Sequence, residues 1–458
     1  MHHHDPRPGR TGAGTGRWPG QGAPAQGRPD AEPVLEPFPD TLKPAEKIVY
    51  WTILLTWPFY AIGALYVVGP VLAWSLAGFA AFALYLVPVM RADLAARMPP
   101  WIVWLSFAAM AGMLVVLWIG QHDHGFGTGR MIKSTIGWAK GWALFPLYML
   151  IGACLFIRME VIVRAYCVLG LHTLILVPLF ILAPGIGLPE TVFTSPLKVV
   201  GGPGPEYFTV FLYTIDPANG MPRWQFFAPW SPFAGLIGVI TVLCALEEKN
   251  RFWLVCGLLA GIAMVLMTKS RMSVVGVVVC VGVPRLLPLM LKPWAYFVAA
   301  SVAASMVVVG DSVVAGVSDA RTYFREMRAN STRVRDALKR IAKERWASEA
   351  YWFGHGTVEP GSHVTEYMLI GTHHTWYGLL FVRGMAGAIL FAVPIVALLV
   401  ALTLRVLCSP RGYLPLGVLL SLLLVSFGGN LETQFYIVWP ALVILGAGLA
   451  EAGRDDAG

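Results

Sequence analysis

The sequence predicts an all-α polytopic membrane helix bundle of about 12 spans with a large helical loop on its outer side. Three observations carry this expectation. Apolar residues make up 57% of the 458 positions and charged ones only 13%, where a soluble chain is roughly 25% charged. The mean hydropathy is +0.65. The apolar residues also gather in runs near the ~20 residues that a bilayer-crossing helix needs, because unsatisfied backbone groups cannot face lipid. A water-soluble enzyme, a disordered chain and a nucleic-acid-binding module are excluded, even though Lys plus Arg exceeds Asp plus Glu by 34 − 26 = 8.

Residues 1–44 are rich in Pro, Gly, Arg and Ala and hold no apolar run, so they read as a disordered cytoplasmic tail. The tail has no apolar stretch of signal-peptide type, which leaves insertion to the first span; His2, His3 and His4 lie in it and are set aside from site reasoning. Nine spans are expected between 45 and 310, at 48–68, 71–89, 101–119, 141–157, 161–183, 233–247, 252–267, 273–291 and 294–310. Residues 311–383 form the large outer loop, and 384–452 supply three more spans at 384–404, 413–429 and 433–450. The fourth, sixth and seventh are short, so eleven is the alternative count. With residue 45 inside, every short inner loop carries two cations: Arg91 and Arg97, Arg158 and Arg164, Lys249 and Arg251, Arg285 and Lys292, Arg405 and Arg411. That is the positive-inside pattern. Six cysteines without C-x-x-C spacing suggest small apolar residues rather than a metal or redox site.

Basic residues on the outer side need a separate cause. Within 321–346, Phe324, Met327, Val334, Leu338, Ile341 and Trp346 favour one helical face among nine Arg and Lys residues. Such a helix suits either a solvated lid packed on the bundle or contact with an anionic glycolipid. Gly354-His355-Gly356 marks a glycine turn, and His373-His374 follows at the outer mouth of a span. A neutral imidazole there suits a general base, or else an interfacial hydrogen bond to a loop carbonyl. Arg271 is pinned at the outer edge in the short Thr268-Lys269-Ser270-Arg271 link, and Arg223 precedes the sixth span on the same side. Guanidinium forks match phosphate oxygens, while snorkelling to lipid phosphate is the plainer use of either alone. His122 and His124 lack the further ligands a metal site needs. Asp216, Glu366 and Glu432 are outer acids that suit a base, an orienter or a helix cap. No nucleotide motif occurs, so a glycosyl donor would have to be membrane-borne.

Taken in order, these residues resemble the O-antigen ligase and polymerase family of bacterial polysaccharide assembly. Arg223 through Gly235 (RWQFFAPWSPFAG) has the shape of the family's arginine-led segment, Thr268-Lys269-Ser270-Arg271 matches its Thr-x-Ser-Arg, and Gly354-His355-Gly356 its Gly-x-Gly turn. His373 through Gly387 (HHTWYGLLFVRGMAG) follows the family's His-Asn-x-x-Leu and Gly-Leu-x-Gly, with Gly384 and Gly387 in register. The likeness covers roughly residues 205–450. It departs where His374 replaces Asn, Ser231-Pro232 replaces Pro-Asn, and Val382 stands where an acid is common.

The resemblance implies His373 as the essential histidine and Arg223 and Arg271 as holders of a diphosphate, with Lys269, His374, Trp376 and Arg383 as further substrate contacts. It implies a bacterial inner-membrane glycosyltransferase, facing the periplasm, inverting, and needing neither metal nor other cofactor. The donor would be a polyprenyl-diphosphate-linked glycan, and the acceptor a lipid A core sugar for a ligase or a second lipid-linked glycan for a polymerase. Membrane lipids are its other partners; nucleic acid is not one. A flippase or transporter of lipid-linked sugars is the rival class, and it calls for polar residues along a path through the bilayer.

Overall fold

A computed structural model describes residues 42–85, 98–216, 220–326, 329–365 and 367–455. The tail up to residue 41, the inner-loop Arg91 and Arg97, and Glu366 lie outside the described residues. The fold is all-α: α1 (Pro44–Leu54), α2 (Thr56–Ala61), α3 (Leu65–Tyr85), α4 (Trp101–Asp123), α5 (Thr128–Lys140), α6 (Leu144–Cys154), α7 (Met159–Leu182), α8 (Ser231–Ala245), α9 (Arg251–Met267), α10 (Arg271–Leu286), α11 (Pro293–Glu326), α12 (Ala329–Glu349), α13 (Thr375–Cys408), α14 (Tyr413–Ser426) and α15 (Trp439–Asp455). Among the described residues, sheet is confined to three antiparallel two-stranded ribbons, of which β1 (Thr191–Thr194) pairs β2 (Thr209–Phe211), and β3 (Thr214–Ile215) pairs β4 (Pro222–Arg223). Among the described residues, five helices are long and apolar enough to cross a membrane: Leu65–Tyr85, Trp101–Asp123, Met159–Leu182, Arg271–Leu291 and Thr375–Cys408. Five shorter apolar helices accompany them, and the protein is an all-α helical membrane protein.

Local chemistry explains where the apolar runs break. The expected first span is split because Pro58 has no N–H for the Leu54 carbonyl and its ring crowds that carbonyl, which ends α1. Close packing of the helices rests on glycine. Gly238 of α8 lies against the Gly261 carbonyl of α9, and Gly261 against Gly238, so the two backbones touch where side chains would separate them.

Side-chain pairs define the two ends of the bundle. At one end Arg158 donates to Glu46 at 2.8 Å and Arg164 to Glu248 at 2.8 Å, while Arg285 reaches Glu247 at 3.3 Å and Arg405 reaches Glu451 at 3.1 Å. The Arg285 guanidinium also covers the Tyr413 ring, joining α10 to α14 at that end. Four of the cations expected on inner loops thus sit together, each paired with an acid. The first residues of α8, α10 and α13 lie at the opposite end, the one expected to face outward.

Helical structure reaches into the outer loop expected over 311–383 from both sides. Helix α11 carries the chain on to Glu326, and α13 begins at Thr375 rather than 384. Of the basic stretch 321–346, residues up to 326 lie in α11 and those from 329 in α12. The side chains of Phe324 and Met327 lie outside the described set, but Val334, Leu338 and Ala342 pack against Leu117, Ile370, Phe381 and Val382, with Ile341 beside them. The apolar face of α12 therefore seats on α4 and the start of α13, and Arg333, Arg335, Arg340 and Lys343 remain exposed.

Candidate functional site

The β3–β4 ribbon positions Arg223 opposite Thr214. Its guanidinium lies 3.8 Å from the Asp216 carboxylate, and Nη2 donates to the Thr268 carbonyl at 3.4 Å. That carbonyl opens the Thr268–Arg271 link, so two motifs 45 residues apart in the chain meet here. Within the link, Lys269 has φ +50, an uncommon backbone conformation for a side-chain-bearing residue. The sharp turn lets α10 begin at Arg271 directly after α9, with Arg271 exposed at the first helical position and Lys269 half-exposed.

The two histidines divide their roles. His374 is the N-cap of α13, its Nδ1 accepting from the Trp376 and Tyr377 amides at 3.2 and 3.4 Å. His373, half-buried beside it, hydrogen-bonds through its ring to none of the described residues. Burial holds its imidazole below the ordinary histidine value, and repulsion from Arg335 adds to this. Burial, then Lys339, pushes His374 down to about 4. Arg335 and Lys339 are one turn apart on α12, so this helix directs its charges toward the histidine pair.

A segment of which the sequence singled out only Glu432 joins the two halves. Thr375 rivets α13 to it: the Thr375 amide and Oγ1 both donate to the Gly429 carbonyl, at 3.0 and 2.7 Å, and Oγ1 accepts from the Leu431 amide at 3.1 Å. Trp376 Nε1 donates to Ser426 Oγ at 3.0 Å. On the other side of this segment, Gly428 abuts the Met272 methyl and Gly429 the Phe233 ring. The Arg271 end of α10, the start of α8 and the His373 end of α13 therefore converge on 426–431. Its signal in the sequence is the polar run Gly428 to Gln434 between two apolar spans.

Arg383 has a different setting from the substrate contact expected of it. It is 4% exposed, its Nη2 and Nη1 donate to Glu432 at 2.9 and 3.3 Å, and its guanidinium covers the Trp142 ring. Removing one partner of a buried pair strands the other charge, so Glu432→Gln should destabilise the protein by about 3 kcal/mol, a modest figure for a buried pair because Glu432 is partly solvated. Thermal unfolding of the detergent-solubilised variant would measure this; unchanged stability would show that the pair does not brace the segment.

Gly354-His355-Gly356 fills a break in α13. At Gly384 the helix departs to φ 62 and ψ −165. The amides of Met385 and Ala386 find the carbonyls of Tyr351 and Trp352 at 2.9 and 3.1 Å, while the carbonyls of Phe381 and Val382 accept from the amides of His355 and Gly356 at 2.8 and 2.9 Å. Four main-chain bonds thus replace the interrupted helical ones. His355 is 2% exposed, with Nδ1 3.0 Å from the Phe381 carbonyl and Nε2 2.9 Å from Glu349. Arg345, then His355, holds the Glu349 carboxyl down to about 2.

Among the described residues, no three His, Cys, Asp or Glu side chains group as metal ligands. No family model matches the chain, and no curated protein matches it.

Proposed function

We propose that this protein is an O-antigen ligase-like glycosyltransferase, which moves a glycan from a polyprenyl-diphosphate carrier to an acceptor hydroxyl on the periplasmic face of a bacterial inner membrane. The observation that carries the reading is that Arg223 bonds the Thr268–Arg271 link, while Met272 next to Arg271, Phe233 near the start of α8 and Thr375 next to the histidine pair meet at 426–431, at the end opposite Arg158, Arg164, Arg285 and Arg405. Orientation rules account for those four cations and leave the outer set to be explained by function. Twelve crossings fit if the five long and five shorter apolar helices are joined by the broken α1–α2 pair and by α6.

In this reading the donor diphosphate lies between Arg223 and Arg271. The acceptor oxygen attacks the anomeric carbon as its proton passes to His373. The bond from that carbon to the diphosphate oxygen breaks, and polyprenyl diphosphate leaves with the electron pair, inverting the configuration. The arginines act on the leaving group, where negative charge grows. His374 supports the family likeness, because its Nδ1 caps α13 as an Asn side-chain oxygen would. A transporter is disfavoured by the polar residues buried in the spans. Ser106, Thr173 and Thr241 each donate to the carbonyl four residues back, and Ser421 to the one three back, rather than lining a path.

Arg271→Lys keeps the charge and loses the fork, so turnover should fall on the order of ten- to a hundredfold; wild-type turnover would argue against a diphosphate clamp. The function itself is tested by deleting the gene and examining surface glycan. Polymer accumulating on its polyprenyl carrier, with long chains missing from lipid A, marks a ligase. Single repeat units mark a polymerase. Unaltered glycan overturns the reading.

A further inference from the structure

Helix α5 belongs to no part of the site above, and its polarity is inverted. Its hydrogen-bonding groups face the protein: Ser134 Oγ accepts from Gln121 Nε2 at 2.6 Å, Thr135 Oγ1 from Trp118 Nε1 at 2.9 Å, and Trp138 Nε1 donates to the Met110 carbonyl at 3.0 Å. These partners also set its direction. Residues 134, 135 and 138 meet 121, 118 and 110, so α5 descends antiparallel along α4 from the outer end.

What it turns outward is apolar below and basic above. None of its 13 residues is buried. Ile132 and Ile136, one turn apart, are 58% and 49% exposed. The exposed indoles of Trp118 and Trp74 continue the strip, Trp74 Nε1 donating to the Ala139 carbonyl at 3.1 Å. Arg130 and Lys133, neighbours at helical spacing, are exposed nearer the outer end, and Asp123 is the single acid between 120 and 140. Gln121 also donates to the Gly356 carbonyl at 2.9 Å, which ties the contact between α4 and α5 to the turn in the α13 break.

We propose that α5 seats an anionic phospholipid of the outward-facing leaflet, its acyl chain along Ile132 and Ile136 and its phosphate between Arg130 and Lys133. Charge complementarity selects this occupant: the apolar strip faces the bilayer, and the two cations stand at head-group height with no ion-pair partner among the described residues, Arg130 resting over the Phe126 ring.

The test uses the full chain in detergent, exposed separately to dioleoyl-phosphatidylglycerol and dioleoyl-phosphatidylcholine, with retained lipid read by native mass spectrometry. The wild-type protein should retain phosphatidylglycerol preferentially. Arg130→Gln with Lys133→Gln should lose that preference on the order of tenfold, whereas Arg340→Gln on α12 should keep it. Equal retention of both lipids by the wild type, or an undiminished preference in the double variant, overturns the proposal. A second reading guards against misfolding. With Cys408, the one exposed cysteine among the described residues, changed to Ser, a dye on Ile132→Cys should be quenched by nitroxide-labelled phosphatidylglycerol. An unquenched dye would also overturn the proposal. Neither readout involves glycan transfer, so failure here leaves the proposed function standing.

Discussion

Replacing His373 by Ala should abolish glycosyl transfer while leaving binding of the lipid-linked donor largely intact. A positioned general base contributes on the order of a hundred- to ten-thousandfold, and the diphosphate contacts are assigned to other residues. Full turnover by the variant would remove His373 from the mechanism. The neighbouring histidine provides the contrast. His374 holds α13 by accepting two amides, so His374→Asn should keep both cap and activity, and His374→Ala should cost about 1 kcal/mol of stability.

The pH dependence has a defined sign. As the proposed base, His373 acts when neutral, and burial with Arg335 holds it below its ordinary value of 6.5. Activity should therefore persist at pH 6.5 and fall only as pH drops through the depressed value. Arg335→Gln removes a repulsive charge and should move that acid limb upward. A wild-type limb above pH 6.5, or a limb indifferent to Arg335, would contradict the assignment. His374 adds a stability effect of the same direction. Its contribution is fully present above pH 6.5 and is lost as pH falls through about 4, where protonation removes the capping lone pair.

Gly384→Ala should destabilise the fold by at least about 3 kcal/mol. At φ 62 and ψ −165 a side chain is strained whatever room it has, and a methyl would also meet the Trp352 carbonyl and lie 2.6 Å from the Phe353 nitrogen. Those neighbours are backbone and are locked by the four bonds across the break, so the clash has no cheap relief. Gly78→Ala in α3 is the control: a methyl there meets nothing within 4 Å, and better helix propensity should make it neutral or slightly stabilising. Thermal unfolding in detergent compares them; equal stability of the two variants would mean that the break tolerates a helical repair.

The resemblance alone pointed to a glycine at 384, but not to the reason for it. The periodic pattern placed Val334 and Leu338 on one face of α12, while the surface they cover, Phe381 and Val382, became visible only in the fold. Within Gly428 to Gln434 only Glu432 has a distinctive chemistry alone, and by itself it marks no meeting point. The segment's importance comes from Met272, Phe233 and Thr375 meeting there from three other helices.

The sequence by itself determined the class of the protein, the positions of most apolar helices, the loops rich in cations and the order of the three outer motifs. These follow from runs of like residues, whose preference for lipid or water is a property of each segment. Tertiary structure alone decided which motifs meet, which arginines are neutralised by acids, that His374 is a cap and His373 is not, and that α5 faces its isoleucines outward. Each depends on a partner far away in the chain, such as Thr268 for Arg223 or Gly429 for Thr375, and a local pattern of polarity carries no record of that partner.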